Sequence, residues 1–532
     1  MKNVKTKRAR AIPDMHQPAL GFEKLSGSPE INVIAKVQNI GFHEGNPDGL
    51  FIGDQRLEFY LKDNGFGYVV ELVALLKAFD FSSFFKFYNS TGRHAIHPRI
   101  MLGLIVYGIL NNDWSLRQLE TLARINVGAW LVCGGLQPDH STIGKFLVQH
   151  AELLTEEFFI AFTQMIVKRL KLKSHVAAGD GTVIEAASSR FRVLKAQAAQ
   201  QVAKEAEEEA SLDPENKEKR ANAELAREAA DKTKSRQEAL KKAGKTTNNV
   251  CVTRSEPEAA VQPLKNKVTR PSYKPSILAD ENGLIVGQQV HPTNENVAIK
   301  PMLEQHEEIH GHLPETTLLD AGYHNIDVLK VFLERDLDVL CPSGAVDKTG
   351  EWEKESKNQI GKKSFKYDEE KDVYICPRGK ELVSIGGGRT DANGRKFHEY
   401  RGKECENCPL RAKCTKSKRG RQVKRYEGEE VKEAMAEVMQ NPRAQELYKQ
   451  RKAMAERPFA ELKERQGLKR FHRRGLQNVR LEFALHCIAF NIKKALQLGD
   501  ELSFAFFALY WRQNGGSWKI HSLYFMNFPS SH

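Results

Sequence analysis

The sequence predicts a multidomain α/β protein in which an all-helical N-terminal part precedes a region of short strands and helices. Three observations lead to this prediction. Residues 68–170 place apolar side chains at helical spacing, residues 175–184 and 276–341 contain short apolar runs typical of strands, and residues 190–245 and 346–430 are polar interruptions. A chain of 532 residues also exceeds the usual size of one domain, so several units are expected.

The N-terminal region carries signals for helix starts. Pro98 is placed to open a helix, because proline is tolerated in a first turn. Ser115, with Gln118 three residues later, predicts a capped helix start. Several short helices joined by turns are compatible with helix-turn-helix DNA binding, and a helical bundle that does not contact DNA is the alternative.

The strand region begins at residue 175 and is soon interrupted. Residues 190–245 are rich in Ala, Glu, Lys and Gln and contain few large apolar side chains, and Asp213-Pro214 divides them. This composition predicts a solvated pair of helices, with disorder as the alternative. After the interruption, Asn282-Gly283 between two apolar runs predicts a β-hairpin.

Further short elements follow the hairpin. Residues 316–319 predict a strand that ends at Asp320, and Asn325 is a suitable N-cap for a helix over 326–335. A strand is predicted over 339–341, and the last large element, at 481–496, carries one apolar helical stripe. Alternation of strands and helices favours an α/β sheet domain.

Charge and cysteine content limit the class of partner and compartment. The net charge of +13 favours a polyanionic partner, above all nucleic acid. The basic start MKNVKTKRAR leads into no apolar segment, and the apolar run at 101–110 is too short to cross a bilayer. We therefore expect a cytoplasmic protein without a membrane partner, in which the eight cysteines do not form a disulfide framework.

Three acidic residues are candidates for catalysis. Asp180 and Asp320 each follow an apolar strand-like run and precede a glycine-containing turn, and Glu456 lies among basic residues. A strand fixes the backbone while a carboxylate at its end projects beyond the sheet. Mg²⁺ prefers oxygen ligands, and two such ions about 3.5–4 Å apart can act on a phosphodiester. Ordinary turn aspartates are the alternative for the first two.

The surroundings of Glu456 favour a helix that combines an acid with bases. Pro458 complicates this helix, which is predicted to kink or to begin near Glu456. Such a face could hold metal and grip phosphate, while a solvated face with ordinary ion pairs is the alternative. The residues that fall on or beside this face are Tyr448, Arg451, Lys452, Glu456 and Lys463.

Cysteines and basic runs form two further groups. A C-x2-C pair with two more cysteines within reach is compatible with structural zinc, and reduced structural thiols are the alternative. These cysteines are Cys376, Cys405, Cys408 and Cys414. Two runs without acids, at 411–425 and 469–480, are suited to neutralise DNA phosphates, and a solvated protein surface is the alternative. Their candidate DNA-binding residues are Lys418, Arg419, Arg421, Arg470, Arg473 and Arg474.

Taken together, residues 68–497 resemble the DDE transposases of bacterial insertion sequences. The segments that carry the resemblance are HPRIMLGLIVYGIL, QPDHSTIGKF, DGTVIEA, LLDAGYHN and ERPFAELKERQGLKRFHRRG. The resemblance implies an RNase H-like catalytic domain with Asp180, Asp320 and Glu456 as its triad. It also implies that Tyr448 and Lys463 are the flanking positions of the signature around Glu456. The family signature of tyrosine, arginine, glutamate and lysine leaves three residues between arginine and glutamate. Arg451 is separated from Glu456 by four, so either Arg451 or Lys452 takes the arginine role.

The resemblance also implies an activity and a set of partners. The protein would bind the terminal inverted repeats of its own element, cleave DNA with water and join the freed 3′-hydroxyl to target DNA. It would use two Mg²⁺ ions, or Mn²⁺, and act on double-stranded DNA as a homodimer. A catalytically inactive DNA-binding protein of the same fold and a metal-dependent nuclease without strand transfer are the alternatives.

The expected domain boundaries follow from the same pattern. An N-terminal arm and a helical DNA-binding domain precede a catalytic domain that is interrupted by a helical insertion and a basic cysteine-containing insertion. An aromatic-rich tail of unknown role ends the chain. The corresponding ranges are 1–67, 68–172, 173–345 with the insertion at 190–265, 346–430, 431–500 for the C-terminal catalytic helices, and 501–532 for the tail.

Overall fold

A computed structural model describes most of the chain, which folds into two compact units. The described residues are 40–90, 94–189, 191–242, 246–264, 268–344, 360–386, 388–391 and 395–513. One unit comprises residues 1–165 and 496–532, and the other comprises residues 166–495. The first 39 residues of the expected arm and residues 514–532 of the expected tail lie outside the described part.

The first unit is built mainly from helices around an apolar core. Pro98 occupies the first turn of its helix after the N-cap His97, and Ser115 and Gln118 form the predicted capping box. These helices are α1 (Leu57–Asp63), α2 (Gly67–Ala78), α3 (Ser82–Phe85), α4 (Pro98–Leu110), α5 (Leu116–Ile125), α6 (Val127–Cys133), α7 (His140–Gln149), α8 (Ala151–Thr155) and α9 (Glu157–Leu170), the last crossing the unit boundary. The helix predictions for this region are confirmed.

Short strand pairs accompany these helices. β1 (Phe42–His43) pairs in parallel with β4 (Ala95–Ile96), and β2 (Phe51–Ile52) forms a small hairpin with β3 (Gln55–Arg56). The prediction of an all-helical unit is therefore wrong in detail. Each strand has two residues, which is too short to show the alternation from which strands are recognised in a sequence.

The second unit contains a sheet of seven strands that confirms the α/β class. Its central path runs in the order β11, β10, β5, β12 and β13, while β6 and β9 pair with the far part of β10. β5 is antiparallel to β10 and parallel to β12. The strands are β5 (Val176–Gly181), β6 (Ile184–Glu185), β9 (Ala260–Pro263), β10 (Thr269–Asp280), β11 (Ile285–His291), β12 (Thr316–Leu318) and β13 (Asp338–Leu340).

The turn and the helix N-cap that the sequence predicted for this region are present at the predicted residues. Asn282-Gly283 lies in the turn between β10 and β11, and Gly283 has a positive φ of 81°. α12 (Ile299–His310) follows β11, and α13 (Ile326–Leu333) follows β12. Asn325 accepts a hydrogen bond from the backbone N–H of Val328 and so caps α13, as predicted.

The polar interruption at 190–245 forms a helical hairpin. α10 (Ala196–Leu212) and α11 (Lys217–Lys242) pack through small side chains, with Ala203, Ala206 and Ala226 in their buried seam. β7 (Val193–Lys195) and β8 (Cys251–Thr253) pair at its base. The predicted helix pair, broken near Asp213-Pro214, is confirmed for the described residues of this stretch.

The cysteine-containing region folds as a separate six-stranded sheet. Its core consists of Phe365, Tyr374, Leu382, Tyr400 and Val423. The strands are β14 (Lys366–Asp368), β15 (Val373–Ile375), β16 (Glu381–Ser384), β17 (Arg389–Thr390), β18 (Lys396–Gly402) and β19 (Gln422–Tyr426), with the one-turn helix α14 (Arg411–Cys414) before β19.

Long helices end the described chain. α15 (Glu429–Val438), α16 (Pro442–Ala460) and α17 (Leu476–Gln513) follow one another, with a π-helical turn at Glu461–Arg465 after α16. The prediction that this helix begins near Glu456 is wrong, because α16 begins at Pro442 and continues through Pro458. Pro458 lies only two residues before the end of α16, so its missing N–H affects the last turn alone.

Asn491 of α17 completes the edge of the main sheet, and its loss is expected to destabilise the second unit. Its side chain accepts from the N–H of Ile285 at 2.8 Å and donates to the carbonyl of Ile285 at 2.7 Å, and Asn491 is fully buried. Asn491→Ala leaves both backbone groups unpaired, which should lower the free energy of unfolding by about 2–4 kcal/mol. Urea denaturation followed by circular dichroism measures this change. Gln477→Ala, at an exposed position of the same helix, should change stability little, and equal effects of the two variants would contradict the prediction.

Candidate active site

Asp180 and Asp320 lie at the same end of two adjacent parallel strands. β5 and β12 pair with Leu318 opposite Ala178, so that each aspartate comes two residues after a paired position. Asp180 is also opposite Ile277 of β10, which fixes its backbone from the other side. The Cys341 thiol donates to the backbone carbonyl of Asp320 at 3.1 Å. The sheet therefore brings together two carboxylates that are far apart in the sequence.

A single guanidinium contacts both carboxylates. Arg451 Nη2 lies 3.1 Å from Asp180 Oδ1 and 3.8 Å from Asp320 Oδ2. The Arg451 side chain is only 12% exposed, so these charges interact in a partly desolvated place, where ion pairs are stronger than at the surface. Lys452 is exposed. Arg451, and not Lys452, therefore contacts the aspartate pair.

α16 crosses the strand ends and positions the remaining signature residues. Met454 and Ala455 pack against Ala178 and Leu318 of the two strands. The Tyr448 hydroxyl, whose pKa is raised to about 12 by burial, donates to the carbonyl of Leu319 at 3.1 Å. This bond joins α16 to the residue directly before Asp320.

Glu456 follows the buried Ala455 on the same helix and is exposed. Lys463, in the π-helical turn, donates to the hydroxyl of Thr182 and, at 3.4 Å, to the carbonyl of Val183. Arg451, which precedes Glu456 in the sequence, therefore contacts Asp180, and Lys463, which follows it, contacts Thr182. These contacts hold α16, on which Glu456 lies, and the turn after it against the end of β5.

A fourth carboxylate at this place was missed by the sequence analysis. Glu295 lies in the segment between β11 and α12, and its Oε1 is 3.5 Å from Lys274 Nζ. A Cβ atom on Gly181 would lie 2.8 Å from Glu295 Oε2, so the carboxylate touches the residue after Asp180. The polar sequence around Glu295 carries no local signal of this contact, which depends on the course of β11.

Tyr323 contributes a buried hydroxyl to the same place. It is 1% exposed, and its hydroxyl shares a hydrogen bond with the buried hydroxyl of Ser276. Burial raises the pKa of Tyr323, and the carboxylates of Glu295, Asp320 and Asp180 raise it further, so the group remains a neutral hydroxyl.

The donor set at the strand ends fits a hard cation. Asp180, Asp320 and Glu456 offer carboxylate oxygens, which Mg²⁺ and Mn²⁺ accept as ligands. Within the described ranges, no three His, Cys, Asp or Glu side chains are already arranged as metal ligands. The aspartates instead face the guanidinium of Arg451, which supplies positive charge at the point where they converge.

The four candidate zinc ligands line one small cavity. Cys376, Cys405, Cys408 and Cys414 surround a volume of about 40 Å³, and all four are free thiols. Burial raises the pKa of the Cys414 thiol. The Arg421 N–H donates to Cys405 Sγ at 3.4 Å. The donor set is soft and converges on one space, which fits zinc in chemistry, although the sulfurs are not held at ligand geometry.

The candidate DNA-binding arginines divide into exposed and structural groups. Arg470 donates to the carbonyls of Ala186 and Ser188, and the pKa of the half-buried Arg473 is lowered by burial. Arg421 donates to the carbonyl of Cys414 at 2.8 Å and lies over the ring of Phe365. These guanidinium groups hold the fold together. Lys418, Arg419 and Arg474 are exposed, and of these Arg474 also donates to the carbonyl of Ala187 at 2.9 Å.

Comparison with known families gives two matches. The family described as "Transposase DDE domain" matches residues 375–496, and the family described as "Transposase domain (DUF772)" matches residues 62–149. The first match contains the four clustered cysteines and Glu456 but begins after both aspartates in the sequence. No curated protein matches the chain significantly. In the described residues, none of the helices is long and apolar enough to cross a membrane.

Proposed function

The chain is a DDE transposase of an insertion sequence, an enzyme that acts on DNA, and we propose that it cleaves element ends and joins them to target DNA with Asp180, Asp320 and Glu456. The observation that carries this proposal is the convergence of both aspartates on Arg451 at the ends of adjacent parallel strands. A carboxylate pair at strand ends is a rigid support for phosphodiester chemistry.

The strand order supports an RNase H-like catalytic domain. Along the sheet, the first strand in sequence, β5, lies at the centre, with β10 and β11 on one side and β12 and β13 on the other. Antiparallel neighbours on one side and parallel neighbours on the other bring Asp180 to the middle of the sheet. The helical hairpin and the cysteine-containing sheet are insertions in this domain.

The chain's own residues supply positioning and charge. Divalent ions held by Asp180, Asp320 and Glu456 would activate the attacking oxygen and stabilise the leaving oxygen. Tyr448 holds the loop before Asp320, and Arg451 keeps the aspartates together. Lys463 joins the end of α16 to Thr182. A rigid frame of this kind suits phosphoryl transfer, in which the protein mainly orients reactants and balances charge.

DNA binding is assigned to basic surfaces outside this frame. The helices of the first unit would recognise the terminal inverted repeats, and Lys418, Arg419 and Arg474 offer exposed positive charge for phosphates. Cleavage and joining of both ends would require two copies of the chain on double-stranded DNA. A homodimer is therefore proposed for the DNA complex.

Strand transfer is the test of this function. Incubation of the purified chain with its element ends, Mg²⁺ and a supercoiled target should yield joined products that sequencing of the junctions identifies. Cleaved ends without joined products would support a metal-dependent nuclease. Stable binding without cleavage would support an inactive DNA-binding protein. Either result would overturn the proposal.

We also propose structural zinc in the cysteine-containing sheet. Purified protein should contain about one zinc per chain, and Cys408→Ser should reduce this content to about zero and lower the melting temperature. Cys251→Ser, outside the cluster, should leave the zinc content unchanged. Metal analysis by mass spectrometry measures both, and wild-type protein without zinc would leave reduced structural thiols as the explanation.

A further inference from the structure

We propose that a basic cavity beside β19 binds a phosphate monoester, and that its occupant is the 5′-phosphate of a cleaved DNA end. The cavity has a volume of about 360 Å³, and residues of β19, of the beginning of α15 and of the start of α13 line it. The inference rests on the proposed function, because hydrolysis of a phosphodiester by water leaves a 3′-hydroxyl on one side of the cut and a 5′-phosphate on the other.

The lining of this cavity carries an excess of positive charge. Five basic side chains line it, and Glu429 is the one carboxylate among its described lining residues. Both oxygens of Glu429 are already engaged, since Oε1 accepts from Lys362 Nζ and Oε2 accepts from the backbone N–H of Tyr426 at 2.9 Å. A bound anion would balance the remaining charge. The five basic residues are Lys362, Arg395, Arg421, Lys424 and Lys432.

Two of these basic side chains have no acidic partner. Arg395 pairs with Asp391 at 3.1 Å, so its charge is balanced within the protein. In the part of the chain that the structure describes, no carboxylate forms an ion pair with Lys424 or Lys432, and Lys424 Nζ contacts only the ring of Phe397, 4.2 Å from its centre. Lys432 is half-buried. A half-buried ammonium group gains from a counter-charge, which a phosphate would supply.

The alternation of β19 directs polar side chains into the cavity. Gln422, Lys424 and Tyr426 line it, while the intervening Val423 packs in the core of the cysteine-containing sheet. Lysines from β19 and α15 thus approach one space from two elements. A terminal phosphate offers three acceptor oxygens and a charge of about −1.5 to −2 near pH 7. It therefore suits a concave basic site better than a backbone phosphate, which carries a single charge.

The cavity adjoins the segment that carries Asp320. Ile326, which lines the cavity, begins α13 six positions after Asp320. Burial raises the pKa of the Cys341 thiol, and Lys432 is close enough to this thiol for its charge to oppose that rise. The same thiol donates to the carbonyl of Asp320 at 3.1 Å. This position favours a DNA end at the catalytic aspartates over a free nucleotide as the source of the phosphate.

Binding of two DNA duplexes to the full chain, measured by fluorescence anisotropy without Mg²⁺, tests the inference. Both duplexes end at the element terminus and differ only in a 5′-phosphate or a 5′-hydroxyl. Wild-type protein should bind the phosphorylated duplex about tenfold more tightly, because it gains charge-assisted hydrogen bonds. The double variant Lys424→Gln/Lys432→Gln should bind both duplexes equally. Lys449→Gln, at an exposed position of α16, is the matched control and should keep the preference.

Binding of deoxyadenosine monophosphate, measured by isothermal titration calorimetry, distinguishes the two sources of phosphate. If wild-type protein prefers neither duplex but binds this nucleotide, and the double variant does not, the assignment to a DNA end is overturned. Absence of both kinds of binding, or a duplex preference that the double variant retains, overturns the phosphate site itself. The single variants should each reduce the preference, which keeps the test decisive if the double variant does not fold.

The strand-transfer assay keeps this inference separate from the proposed function. Strand transfer by wild-type protein that shows no preference for the phosphorylated duplex would overturn the phosphate site alone. A preference that depends on Lys424 and Lys432, in a protein that neither cuts nor joins DNA, would uphold the phosphate site and contradict the proposed function.

Discussion

Asp320→Asn should reduce DNA cleavage in Mg²⁺ by about a thousandfold or more, while binding to the element ends stays equal or becomes tighter. The change removes an anionic ligand whose cation is expected to stabilise the reaction by several kcal/mol, and each 1.36 kcal/mol corresponds to a factor of about ten. It also removes one negative charge close to DNA phosphates. Cleavage of labelled ends and their binding in a mobility-shift assay measure the two effects separately.

The substitution is conservative for the local fold. Asp320 Oδ1 accepts a hydrogen bond from the N–H of Gly322 at 2.9 Å, and the side-chain oxygen of asparagine can accept the same bond. Asp327→Asn, at an exposed position in the first turn of α13, is the control and should retain cleavage. Wild-type cleavage by Asp320→Asn would remove Asp320 from the metal site, and with it the proposed mechanism.

Glu456→Gln should lower cleavage about a hundredfold or more without loss of structure. Glu456 is exposed, so its neutral isostere should not disturb packing, whereas the adjacent Ala455 is buried against Ala178. The lost negative charge would leave the second cation without its anionic ligand from α16, and electrostatic terms of this size are common at reacting groups. Single-turnover cleavage in Mg²⁺ and in Mn²⁺ provides the measurement.

Glu446→Gln is the matched control for Glu456 on the same helix. Glu446 is 74% exposed and pairs with Lys449 at the surface, so its loss should change cleavage and stability very little. Equal cleavage by both variants would show that Glu456 does not bind a cation. The triad would then have to take its third acid from elsewhere, and Glu295 would be the first candidate.

Much of the fold could be predicted because it is encoded locally. Asn282-Gly283, the capping box at Ser115 and Gln118, and the break at Asp213-Pro214 all act through neighbouring residues. The two-residue strands of the first unit could not be predicted, because a run of two residues is too short to show the alternation that marks a strand. The helix start near Glu456 was predicted wrongly, because proline close to a helix end affects only the last turn.

The candidate site was only partly predictable for a related reason. Asp180 and Asp320 follow strand-like runs, so their places at strand ends could be anticipated. The contact of Arg451 with both of them depends on how α16 crosses the sheet. Arg451 lies five positions before Glu456, a spacing that does not put the two side chains on the same face of a helix. The sequence alone therefore did not predict this contact. Glu295 lies in a polar connection, and its proximity to Asp180 depends on the path of β11.

The pairing of Asp180 with Arg451 also has a consequence for protein synthesis. The two residues are 271 positions apart in the chain. At translation rates of 5–20 residues per second, roughly 14–54 s pass between their emergence from the ribosome. During that time the strands carrying both aspartates exist without the helix that supplies their counter-charge and the proposed third acid. Under the proposed function, a nascent chain would be catalytically incomplete until its last large helices have been made, and truncated products that end before α16 would not cut DNA.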